Sequence, residues 1–385
     1  MASVVETTYR AGSYGVPLAS VLPMTDAPAA TSPTFVTSDK VLLAGAIVLT
    51  ALAGVADYGH WASVTAFVVS AAAVAILASV VGRSVEQLGD RFGAGATGVL
   101  QSALGNLPEL FICIFSLQAG LVAVVQAALV GSILANLLLV LGLAFLVGGL
   151  KHGVQQLGSQ RARTILVLML LSVSAWALPS FTYWLHTPAS GHEVPFSIIV
   201  SVLLILLFVA SLPFSLRREA GDEAAGPHEQ PRWPLAVAVG VLAVSGVAAA
   251  FVSDWFVNAL QPAMDSLGVN QTFAGLVVVA IAGNAIENVV GVQLAAKDQA
   301  SYAFSVILNS PVQIALVLAP VLVLVSQVFG LASLTLVLSP MLVVVLMLAV
   351  VLAAFIAVDG ESNWLEGASL VVLYVVIATS FWWGG

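Results

Sequence analysis

From residue 41 onward the chain is a succession of apolar runs cut by short breaks of charge, proline and glycine. The runs are continuous rather than alternating, which predicts helices, and each approaches the roughly 20 residues needed to cross a hydrocarbon core about 30 Å thick. Inside lipid the backbone must satisfy its own hydrogen bonds, so a spanning chain is helical or a closed barrel. Without a period of two, the barrel drops out. The pattern predicts about eleven spans, at residues 41–57, 62–82, 96–118, 121–149, 163–184, 194–216, 233–257, 271–296, 302–328, 338–358 and 364–383.

Composition agrees with a polytopic membrane protein. Of 385 residues, 60% are hydrophobic and 8% charged, unlike any ordinary soluble domain. The net charge of −8 reflects few bases and not an acidic domain, so nucleic acid is no expected partner; the lipid bilayer is. Cys113 is the single cysteine, which excludes an internal disulfide or a cysteine-based metal cluster. Residues 1–40 are mixed in Ser, Thr, Ala and Pro and lack the pattern of a secretory signal, so they read as a flexible cytoplasmic tail.

The bases then orient the spans. After Arg10 and Lys40 in the tail, they fall at Arg83 and Arg91, at Lys151, Arg161 and Arg163, at Arg217, Arg218 and Arg232, and at Lys297, always after an even-numbered span. The positive-inside rule makes that side cytoplasmic, with the N-terminus inside and the C-terminus outside. The alternate loops carry Asp57, Glu193, Asp254 and Asp265 and no base. Trp61, Trp184, Trp233, Trp255, Trp364, Trp382 and Trp383 fall at span ends and read as interfacial belt anchors.

The segment RREAGDEAAGPHEQPR at 217–232 reads as a polar hinge between halves. Setting aside an extra first helix at 41–61 leaves five spans at 62–216 and five at 233–385. An odd number per half inverts the second relative to the first, the plan of many secondary transporters.

Two glutamates lie deep in spans, and each follows a Gly-Asn pair: GNLPEL at 105–110 and GNAIEN at 283–288. One offset, 283 − 105 = 178, carries Asn106 to Asn284, Glu109 to Glu287 and Ser132 to Ser310. The site is therefore duplicated, and because the two motif spans run in opposite directions the glutamates can face each other near the midplane. A carboxylate there costs about 2.5–3.5 kcal/mol on insertion scales. Every base is at the cytoplasmic side, so a proton or a bound cation must neutralise the pair. Asn106 and Asn284 share a helix face with their glutamates. Ser132, Asn136, Gln126, Asn309, Ser310 and Gln313 are either oxygen ligands for a hard cation or packing glue between helices, with the duplication favouring the two serines as ligands. Pro108 and Pro311 predict kinks that free the carbonyls of Leu104 and Ile307. Gly105, Gly131, Gly142 and Gly283 allow close sliding of helices. No histidine falls at the midplane, and Cys113 reads as a core residue.

Together GNLPELFICIFSLQAGLVAVVQAALVGSILANLLLVLG and GNAIENVVGVQLAAKDQASYAFSVILNSPVQIALVLAP resemble the two alpha repeats of the cation/calcium exchanger superfamily, and within it the bacterial calcium/proton exchangers. The resemblance implies an all-α fold of two inverted five-helix repeats plus an N-terminal helix, with motifs at 96–142 and 271–320. It also implies an integral protein of a prokaryotic cell membrane that moves calcium out of the cytoplasm against protons, with no cofactor and no enzymatic activity. Carried over, Glu109 and Glu287 bind the cation, with Asn106, Asn284, Ser132, Ser310 and Gln313 around them. The chain departs from the family pattern at Pro108, at Asn309-Ser310, and at Asn288, where a histidine is frequent. Sodium or potassium coupling in the same fold is the nearer alternative, and a non-transporting sensor or scaffold the more distant one.

Overall fold

The computed structural model describes residues 34–92, 104–157, 160–216 and 232–384. The expected tail before residue 34, most of the hinge (217–231) and the start of the first motif span (96–103) lie outside the described residues. The helices are α1 (Thr37–Tyr58), α2 (Ser63–Phe92), α3 (Leu107–Gln118), α4 (Val122–His152), α5 (Gln160–Trp184) and α6 (Glu193–Leu216). They continue as α7 (Leu235–Leu267), α8 (Gln271–Gly283), α9 (Ala285–Ala295), α10 (Ala300–Val328), α11 (Pro340–Asp359) and α12 (Trp364–Trp382). Among the described residues, eight of these are long and apolar enough to span a bilayer, and α3, α8 and α11 are shorter apolar helices. Local signals set several of the ends. Ser339 accepts from the Leu342 N–H ahead of Pro340 at the start of α11, and Asn363 and Glu366 cap α12 reciprocally.

One expectation changes at once. The span at 271–296 is two helices, α8 and α9, interrupted at Asn284.

The helices bury two large apolar clusters. One joins α4, α5, α6, α10, α11 and α12 around Phe145, Trp176, Phe304 and Phe381. The other joins α1, α2 and α7 around Ala53, Val74, Phe67 and Phe256, and reaches one face of α3, α4 and α8. Small residues let backbones meet where α4 crosses α8. A Cβ on Gly131 of α4 would lie 2.1 Å from the Leu276 carbonyl oxygen of α8, and one on Gly275 would lie 2.4 Å from that of Val124. Only glycine admits this approach.

Two groups of loop contacts tie helices together. Strands β1 (Gln155–Gln156) and β2 (Glu361–Ser362) pair antiparallel, and Gln155 Nε2 donates to Asp298 Oδ1 at 3.2 Å, which ties together the loops after α4, α9 and α11. The other group centres on an extended segment at 331–339, whose Leu334, Leu336 and Leu338 are buried. Its backbone is satisfied by side chains: Ser180 Oγ bonds both Leu336 O and Leu338 N, Ser197 Oγ accepts from Leu336 N, and Ser326 Oγ from Leu334 N. Irregular backbone among spanning helices persists only with such partners.

Trp233 is corrected from a belt anchor to a core residue. It is 1% exposed, its indole N–H donates to Asp39 Oδ2 at 3.2 Å, and its backbone N–H donates to Gln87 Oε1 at 3.0 Å. Asp39 also pairs with Arg83 at 3.3 Å. The entry to α7 is thereby fastened to α1 and α2.

Candidate functional site

The first motif breaks the chain at Gly105-Asn106, and α3 starts directly after it, with Glu109 as its third residue. The second breaks at Asn284, and α9 starts directly after it, with Glu287 as its third residue. The two asparagines adopt the same backbone conformation, φ −95° and ψ 18° at Asn106 against φ −104° and ψ 23° at Asn284. Each glutamate therefore sits in the first turn of a half-helix, where the unpaired N–H groups present partial positive charge.

Pro108 occupies the second position of α3, directly after the break at Gly105-Asn106 that separates it from Leu104; its lack of an N–H suits a position that has no intrahelical partner. The second motif breaks in the same way with Ile286 in the matching place. Pro311, by contrast, does lie inside α10, next to a π-helical stretch at Ile314–Leu318. Its counterpart stretch in α4, Ala135–Val140, has Ile133 at the position matching Pro311, so this irregularity too arises without proline. Wide turns of this kind recur at functional sites because they re-aim neighbouring side chains.

Between the two breaks the structure gathers a buried polar cluster. Glu109 is 3% exposed; its Oε1 accepts a short hydrogen bond from Ser132 Oγ, and its side chain passes over Gly283 of the opposite motif, where a Cβ would sit 3.8 Å from it. Asn136 links the halves: its Nδ2 donates to Asn284 Oδ1 at 3.0 Å, to Ser132 O at 2.9 Å and, at 3.5 Å, to Ser310 Oγ. Ser310 Oγ donates to Asn284 Oδ1 at 3.4 Å, and Asn284 Nδ2 turns back to Ala280 O at 2.8 Å, covering a carbonyl at the end of α8. Among the described residues, Asn136 Oδ1 and Gln313 Nε2 are buried with no hydrogen-bond partner. Leaving such a group unsatisfied costs about 1–3 kcal/mol, and an orphaned oxygen is what a bound cation would satisfy.

Other expected residues fall elsewhere. Gln126 does not join the cluster: its Nε2 donates to Thr335 O at 3.1 Å and Val337 O at 2.9 Å, pinning the extended segment. Asn309 is half-buried and, among the described residues, makes no hydrogen bond into the cluster; Asn106 is half-buried at the break, beside Leu104. The carbonyl of Ile307 lies within the buried body of α10. The side chains of Glu287 and Asn288 lie outside the described residues. Cys113 is buried in the core. One contributor goes unnamed by the pattern: Trp176, fully buried on α5, donates its indole N–H to Ala315 O at 3.1 Å, inside the wide turn that follows Gln313. Its signal was position, as the tryptophan that falls away from span ends.

The chain matches the sodium/calcium exchanger protein family over residues 62–217 and 237–383, two blocks that begin after α1 and flank the hinge. The Ca(2+)/H(+) antiporter ChaA of Bacillus subtilis (strain 168) is 36% identical over 330 residues, covering 84% of this chain and 93% of the relative. The Ca(2+)/H(+) antiporter of Synechocystis sp. is 33% identical over 365 residues, covering 90% and 98%. The solved structure of native YfkE matches with a TM-score of 0.77 at 32% identity, over 89% of this chain and 99% of that one.

Proposed function

The chain belongs to the sodium/calcium exchanger protein family, and from that premise we propose the site and cycle by which it works as a calcium/proton antiporter. Eleven spanning segments form two inverted five-helix halves after α1, with the base-rich loops in the cytoplasm, and the protein exports calcium across a bacterial cell membrane. The observation that carries this reading is the convergence at the two Gly-Asn breaks. Glu109 and Ser132 come from the first half, Asn284, Ser310 and Gln313 from the second, and Asn136 bonds across.

Glu109 and Glu287 bind calcium or protons in exclusive alternation. Ser132, Asn136, Asn284 and Gln313 supply neutral oxygens, and the two half-helix N-termini lower the cost of holding carboxylates at this depth. Two close carboxylates raise each other's proton affinity, so protons arriving from one face displace calcium toward the other. The rocking seam falls between the α1–α2–α7 cluster and the remainder. Gly131 and Gly275 bring the motif helices backbone to backbone, so in this cycle they move together.

The test is reconstitution in vesicles with imposed gradients of calcium, sodium, potassium and protons. Glu109→Gln and Glu287→Gln should each abolish calcium-dependent proton movement, and the apparent KM for calcium in the wild type should rise as pH falls. Exchange retained in both variants would sink the scheme.

A further inference from the structure

A cavity of about 760 Å³ opens between α3 and α7, and its lining includes no residue of the buried polar cluster. Leu104, Phe111 and Phe115 line one side, and Ala243, Gly246 and Ala250 the other. A Cβ on Gly246 would meet only Leu107 Cδ1, at 4.0 Å, which confirms open space at the centre. Beside it, α7 turns Val239, Val247 and Phe251 outward, 49%, 60% and 56% exposed. α7 is long and apolar enough to span a bilayer, so its outward-facing side chains beside the crevice meet acyl chains.

The crevice has one polar end. Gln118 and Asp254 line it there, fifteen residues along α7 from Val239, about 22 Å at 1.5 Å per residue. That exceeds the roughly 15 Å depth of a single leaflet, so the groove can take a whole chain. Asp254 lies close enough to Asp57 for the two carboxylates to repel each other, and the loops of that face contain acids and no Lys or Arg. A head group of net negative charge is disfavoured at such a mouth, and one ending in an ammonium is drawn to it. We propose that the crevice between α3 and α7 holds one acyl chain of a membrane lipid whose head-group ammonium pairs with Asp254, as in phosphatidylethanolamine.

Bound there, the lipid bridges α3, which carries Glu109, and α7, two helices that meet in the α1–α2–α7 cluster. Native mass spectrometry of the purified protein with added phosphatidylethanolamine or phosphatidylglycerol tests it. The wild type should retain one phosphatidylethanolamine at least about fivefold over phosphatidylglycerol; Gly246→Leu, which fills the slot, should lose it, and Asp254→Asn should erase the head-group preference. Equal retention by Gly246→Leu, equal binding of the two lipids, or a lipid-free dimer would overturn the proposal. In a second arm that needs no variant, phosphatidylethanolamine with a diazirine on its acyl chain is photolysed in vesicles with the wild type. Adducts should map to 104–118 and 239–254, and adducts confined to other helices refute the site.

Discussion

In the first motif the helix breaks at Asn106 and restarts with Pro108 as its second residue; in the second it breaks at Asn284 and restarts with Ile286 in that place. The backbone outcome is the same. The shared Gly-Asn pair, followed by a fresh helix N-terminus, is therefore the device, and the proline is an accessory to it. A second contrast concerns amides. The first half supplies Asn136 and the second Gln313, but at the common offset Asn136 faces Ile314 and Gln313 faces Ala135. A shift of one residue turns a side chain by about 100° around a helix. The two breaks and the two wide turns match at the common offset, and the polar lining does not: the bonds across the cluster run from Asn136 into Asn284 and Ser310.

The sharpest way to break the comparison is at Gly131 and its offset partner Asn309. The same helical position is a backbone-to-backbone crossing in one half and a half-buried side chain in the other. Gly131→Ala places a methyl 2.1 Å from Leu276 O. We expect a loss of more than about 3 kcal/mol, beyond ordinary overpacking, seen as lost monodisperse protein or a steep fall in melting temperature. Asn309→Ala should stay within about 1 kcal/mol. Equal damage by the two would show that the halves pack alike.

Next comes the amide asymmetry. Asn136→Leu removes the donor to Asn284 Oδ1 and the oxygen without a partner, so the apparent KM for calcium should rise at least tenfold, about 1.4 kcal/mol. Ile314→Asn, at the matching place in the second half, should not rescue it, since its side chain issues from the wide turn at Ile314–Leu318. Restored affinity in Asn136→Leu/Ile314→Asn would mean that the site is symmetric after all. Gln126→Leu should instead leave calcium affinity unchanged within about twofold and lower the melting temperature, because its bonds go to the 331–339 segment.

These contrasts also mark how far the pattern of residues reaches. The apolar runs and the offset of 178 were legible because span length, charge placement and residue identity are local properties. The second break is not legible because it has no proline, the visible breaker, and its turn depends on Asn284 folding its amide back onto Ala280 O. The extended segment at 331–339 was hidden for a similar reason: its stability rests on Ser180, Ser197 and Ser326, which are ordinary serines until the helices assemble. Trp233 sits at a span end like its fellows, and its burial is decided by Asp39, a residue 194 positions away.

The smallest expected effect is the most direct probe of the opening contrast. If the Gly-Asn pair makes the break, Pro108→Ala should preserve it, because an N–H at the second position of α3 displaces no intrahelical bond. Stability should change by no more than about 1 kcal/mol, chiefly through the unfolded chain, and exchange rate by no more than about twofold. Asn106→Ala should cost more than Pro108→Ala in the same flux assay, since alanine at the break favours one continuous helix. The reverse order, with Pro108→Ala silencing transport and Asn106→Ala tolerated, would return the break to the proline and leave the second motif, which has Ile286 there, without an explanation.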